Sequence, residues 1–129
     1  MEHYRYLTAD NVHNGYQFLD DAVIKVEANG RIVAVLSEAE CAGEHVERVA
    51  GILCPGFVNV HCHLELSHLF GQLAENTGLV GFVKQIPVTR DKFTAEDKTN
   101  AMQKAMQEMY ANGIVAVGDI SNTAESLAL

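Results

Sequence analysis

Two histidines separated by one residue, His61 and His63, close the short apolar run Phe57-Val58-Asn59-Val60. Residues two apart on a strand point to the same face, so both imidazoles can address one divalent metal ion. An HxH pair in isolation is more often incidental than functional. Here it ends an apolar strand, follows Pro55-Gly56, and runs on into Leu64-Glu65-Leu66-Ser67-His68. Cys62 falls on the opposite face and reads as a packing residue. Glu65 continues the alternation of the histidines and stands either as a contact for a substrate polar group or as a structural carboxylate. His68 reads as a loop histidine close to the site. Asp119, Ser121 and Asn122 follow a second apolar strand and are candidate pocket residues, with helix capping an equal alternative for Ser121 or Asn122. The set of possible substrate-binding residues is therefore Glu65, His68 and Asn122. Arg90 could meet an anionic group or remain solvated. Cys41 and His45 lie four apart in an acidic loop without further ligands nearby in sequence, and His3 and His13 read as surface residues.

The elements that must hold these residues divide the chain in two. Residues 1–54 are short, turn-punctuated and β-like. Asn14-Gly15 and Asn29-Gly30 are two-residue hairpin signals of the type I′ kind. The second lies between two β-branched stretches, residues 22–27 and 31–36. Residues 37–47 read as an acidic loop and 48–53 as a further short strand. Residues 55–129 open with the 57–61 strand, whose apolar composition suits burial on both faces. A helical piece over 79–86 is expected to end at Pro87. The region 94–112 has the clearest helical period: Thr94 suits an N-cap, Glu96 and Asp97 occupy the first turn, and Met102, Met106 and Met109 form a core-facing stripe. Gly113 stops it. The apolar run 114–119 then completes a strand–helix–strand unit, which implies parallel pairing.

Composition narrows the function classes. The 129 residues are 48% hydrophobic and 20% charged, ordinary for a folded domain. A net charge of −8 and scattered Lys and Arg argue against nucleic acid and anionic membrane as partners. No apolar stretch reaches the roughly 20 residues needed to span a bilayer, and the N-terminus has no signal-peptide core. Three cysteines at irregular spacing fit a reducing, cytoplasmic compartment.

The stretch PGFVNVHCH resembles the signature of the amidohydrolase superfamily, metal-dependent deaminases and related hydrolases. The N-terminal hairpins resemble the strands of its small β-sandwich, and GIVAVGDISN resembles its second barrel strand. HCHLELSHLFG is similar to the branch containing aminodeoxyfutalosine, guanine and adenosine-type deaminases and the chlorohydrolases. The resemblance implies an α/β fold: a β-sandwich portion over 1–54, followed over 55–129 by the first βαβ unit of a TIM-like (β/α)8 barrel, incomplete. It also implies that His61 and His63 ligate a divalent metal, zinc in preference to iron. That ion would lower the pKa of a water towards about 7, for attack on an amidine or amide carbon of a small, purine-like substrate.

A TIM barrel typically needs about 250 residues, and no histidine follows His68. The superfamily's later ligands, two histidines and an aspartate, and its later acid/base glutamate are thus expected to be missing. The isolated chain is expected to be inactive, and to form a homo-oligomer or pair with a completing second polypeptide. The alternative is a non-catalytic αβ interaction module or a truncated remnant.

Overall fold

The first strand, β1 (Tyr4–His13), is the centre of the N-terminal sheet in the computed structural model, which describes residues 3–128. Around it stand β2 (Phe18–Leu19), β3 (Ala22–Glu27), β4 (Ile32–Ser37) and β5 (Val46–Leu53). β1 pairs antiparallel with β3, Tyr4 opposite Glu27 through Leu7 opposite Ile24, and with β2 near its end. It also pairs in parallel with β5, from Tyr6 opposite Val46 to Val12 opposite Leu53, with a bulge between Ala9 and Asn11. The Asp10 carboxylate at that bulge accepts from the Gly51 N–H at 2.8 Å.

One face of this sheet is closed by a single 3-10 turn, Glu38–Cys41, within the region expected to be loop. Cys41 packs there with Tyr6 and the fully buried Val23, and Tyr4, Leu36 and Val46 pack against them. Burying one valine side chain contributes roughly 1.5–3 kcal/mol. The buried Thr8 hydroxyl on β1 donates to the Ala22 carbonyl at 2.7 Å and so is not left unpaired.

Both hairpins form, but neither uses a two-residue turn. Between β1 and β2 the Asn14 side-chain oxygen accepts from the N–H groups of Tyr16 and Gln17, making a four-residue loop. Between β3 and β4 the Gly30 N–H donates to Glu27 O and Glu27 N–H to Arg31 O. Only Gly30, at φ 90°, takes the left-handed conformation there. Asn29 keeps a negative φ and uses its side chain to accept from the Arg31 N–H. A side-chain oxygen that mimics the turn carbonyl thus replaces a second left-handed residue.

The chain divides into two compact units, Met1–Pro55 and Gly56–Leu129. In the second, β6 (Phe57–Cys62) runs into a 3-10 turn, Leu64–Leu69, then α1 (Gly78–Arg90), α2 (Ala95–Ala111), β7 (Ile114–Asp119) and a last 3-10 turn, Glu125–Ala128. β6 and β7 are parallel, Phe57 opposite Ile114 and Cys62 opposite Asp119. α2 starts as its sequence requires. Thr94 Oγ1 accepts from the Asp97 N–H at 3.1 Å, and the Asp97 carboxylate accepts from the Thr94 N–H at 2.9 Å, a reciprocal cap. The Thr94 hydroxyl, within 2.7 Å of the Asp97 carboxylate, and then the Thr94 N–H hold Asp97 below its ordinary pKa.

Three expectations change in this unit. Pro87 lies inside α1 rather than ending it: its carbonyl accepts from the Asp91 N–H, and the helix continues to Arg90. α1 has no buried residue, so losing one ladder bond near its end disturbs no packing. The methionine stripe of α2 is only partly covered, with Met102 1% and Met106 41% exposed. β6 has the composition of a doubly buried strand, yet Val60 is 80% exposed among the described residues.

Candidate metal half-site

β6 delivers His61 and His63 side by side at its carboxyl end. Their ring centres lie 5.2 Å apart with planes at 78°. The end of β7 fastens the second of them. The Ile120 N–H donates to the Cys62 carbonyl at 2.8 Å, and the Ile120 carbonyl lies 2.6 Å from His63 Nδ1. A carbonyl only accepts, so Nδ1 must carry the proton of the neutral ring and Nε2 is left with the lone pair. This is the arrangement by which metal-ligating histidines are held in one tautomer.

The donor set fits a divalent ion as far as it goes. Two imidazoles bound through nitrogen at about 2.0–2.1 Å to one tetrahedral zinc have ring centres about 5 Å apart, close to the separation here. Both side chains are exposed at the strand end. No group of three or more His, Cys, Asp or Glu that could hold a metal exists among the described residues. Cys62 turns to Asp119 instead, Sγ to Oδ1 3.7 Å. Burial, then the Asp119 charge and bond, raise its thiol pKa.

Glu65 is buried beneath the loop that follows β7. Its Oε1 accepts from Asn122 N–H at 3.0 Å and Asn122 Nδ2 at 2.7 Å. Its Oε2 accepts from Thr123 N–H at 3.1 Å, Thr123 Oγ1 at 3.0 Å and Ser121 Oγ at 2.9 Å. Burial opposes ionisation, but the Asn122, Ser121 and Thr123 donors overcome it and bring the Glu65 pKa down to about 2. Asp119 makes a second tie, accepting from the Leu64 N–H at 2.8 Å. Burial raises its pKa, while Ser126, Leu64 and Cys62 more than offset that, leaving it below the ordinary value.

The structure thus brings together Glu65 and Asn122, but on each other. His68 lies in the 3-10 turn, 6% exposed, edge-on to Phe93 at 5.1 Å, and neither ring nitrogen has a hydrogen-bond partner. Arg90 is exposed and pairs with Asp91 at 3.4 Å. Cys41 is core, His3 is exposed, and His13 stacks edge-on to Phe18. Sequence reasoning overlooked Thr123 and the Ile120 carbonyl. The available signal was the run Ser121-Asn122-Thr123, short polar side chains that donate to a nearby carboxylate as readily as they cap a helix.

The model of the amidohydrolase family matches residues 52–129. An adenosine deaminase from Xanthomonas campestris, solved with bound zinc, superposes with a TM-score of 0.74 at 26% identity, covering 95% of this chain and 30% of that one. An aminofutalosine deaminase from Helicobacter pylori superposes with a TM-score of 0.64 at 18% identity, covering 98% of this chain and 30% of that one. No curated protein sequence matches. The fold is a β-rich N-terminal part followed by the first βαβ unit of a TIM-like barrel, two strands of the eight that such a barrel contains.

Proposed function

The chain belongs to the amidohydrolase family, and from that premise we propose that it contributes His61 and His63 as two ligands of a divalent metal ion in the hydrolysis of a C–N bond. Zinc is preferred to iron, because imidazole suits both and the adenosine deaminase it resembles was solved with zinc. When bound, such an ion makes water a competent nucleophile at neutral pH. The substrate class is a small amidine- or amide-bearing molecule of purine-like type, by similarity to the two deaminases. The reading rests above all on the His63 Nδ1–Ile120 carbonyl bond, which leaves Nε2 as the ligating nitrogen beside His61.

Around that half-site the chain's own residues supply positioning. Ile120 orients His63, and Asp119 and Glu65 fasten the segment after β6 to the segment after β7. A catalytic zinc needs three protein ligands as a rule, and this chain spans 30% of the length of each deaminase it matches. The third ligand and the acid/base group are therefore assigned to polypeptide beyond these 129 residues. A reducing cytoplasmic setting suits its three unpaired cysteines.

Zinc titration of the purified chain tests this. Weak binding is expected in the wild type, reduced at least tenfold in His61→Ala and His63→Ala, with no sustained ammonia release from adenosine-type substrates. Zinc binding that ignores both substitutions refutes the half-site, and multiple turnovers by the chain alone refute the need for completion. Binding to another protein with no metal dependence would favour the interaction-module reading instead.

A further inference from the structure

The Glu65 carboxylate has no capacity left for a ligand. A carboxylate offers about four lone-pair sites. Four are taken by Asn122 N–H, Asn122 Nδ2, Thr123 N–H and Thr123 Oγ1. The single Ser121 hydroxyl proton is shared between Oε2 and the Thr123 carbonyl. Glu65 is 8% exposed, so a substrate group would have to break this clasp to reach it.

The clasp ends one residue from the atom that orients His63. Ile120 precedes Ser121 directly, and its carbonyl meets His63 Nδ1. We propose that Glu65 is a positioning residue for His63: by gathering Ser121, Asn122 and Thr123 it holds the Ile120 carbonyl on Nδ1 and keeps Nε2 free of its proton. The neighbouring ties between the two segments are fewer: Ile120 N–H to Cys62 O, and Leu64 N–H and Cys62 Sγ to Asp119. Removing the carboxylate takes the Asn122 N–H's acceptor away and leaves the Thr123 N–H only the Ser121 hydroxyl at 3.4 Å, a penalty that drives the loop to rearrange. This inference rests on reading His63 as a ligand only for its consequence, since the tautomer exists whether or not metal binds.

The test uses the whole 129-residue chain, metal-free and 15N-labelled, with long-range proton–nitrogen spectra of the imidazoles. His63 in the wild type is expected in the Nδ1–H form. In Glu65→Gln the new amide donor faces the loop's donors. His63 should then shift towards Nε2–H, while His61 and the α2 amides keep their positions. Asn122→Ala, which deletes one donor, should move His63 part of the way. It also serves as the deciding variant if Glu65→Gln fails to fold. Zinc affinity measured in parallel should fall about 10–100-fold in Glu65→Gln, as for other groups that orient a ligating histidine. A wild-type His63 in the Nε2–H form, or an Nδ1–H form untouched by the substitutions, overturns the proposal. Absence of zinc binding with the expected tautomer change defeats the metal reading alone.

Discussion

His68 is the least comfortable side chain in the second unit. It is buried with both ring nitrogens unpaired. Burial first, then the positive charges of Lys98 and Arg90, hold its pKa below the ordinary 6.5 against the opposing pull of the Glu65 backbone and the Glu125 carboxylate. Its neutral form is the native one. The unfolded chain therefore takes up the proton first as the pH falls through 6.5, and stability declines from there until the folded-state pKa is reached. We expect the urea midpoint to drop between pH 7.5 and 5.5, and to drop less in His68→Phe, which keeps an aromatic ring against Phe93. Equal pH slopes in the two proteins would remove His68 as the cause. Glu65 behaves oppositely: with a pKa of about 2 it stays ionised throughout this range and adds no slope.

At the scale of elements, β6 and β7 approach so closely that the backbone of one limits the other. A Cβ on Gly118 would stand 2.6 Å from the Val60 carbonyl oxygen, and a backbone atom cannot swing aside as a side-chain tip can. Gly118→Ala should push the strands apart and destabilise the unit by about 1–3 kcal/mol, the usual range for overpacking. It should also move Ile120 off His63. A drop in thermal midpoint together with a shifted His63 ring signal is the expected outcome, and an unchanged midpoint contradicts it. Elements whose period is written locally were legible in the sequence. The β-branched run 22–27, the cap and 3.6-residue period of 94–112 and the apolar run 114–119 each needed only their own residues. The parallel pairing of β1 with β5 joins Tyr6 to Val46, and the Glu65 clasp joins residues 57 and 58 apart. Nothing local marks such partners, so Glu65 was readable as a candidate while its actual partners were not. The histidine pair was readable as a candidate because its spacing came with context: the end of an apolar strand led by Pro55-Gly56, where the two rings do lie side by side.

For the whole molecule, the open apolar surface and the net charge act against each other. Phe57, Val58 and Val60 on β6 and Val115 on β7 are exposed, and the open face of the N-terminal sheet holds an apolar hollow of about 380 Å³ lined by Leu7, Ile24, Val26, Ile32, Val35 and Leu53. β4, at the edge of that sheet, carries no charged side chain, which leaves it unprotected against edge pairing. At pH 7 a charge of −8 keeps copies apart. Near the pI of 5.1 that repulsion vanishes, so light scattering should rise steeply between pH 7 and 5. A flat profile would mean that these surfaces are not adhesive. Among the described residues no helix is long and apolar enough to cross a membrane. β1 sits at the other extreme, flanked by β2 and β3 on one side and β5 on the other, with Tyr6, Thr8, Ala9 and Val12 buried along it. Its amide protons are released only when the whole N-terminal sheet opens. Their exchange rate therefore reports the survival of that sheet as a unit.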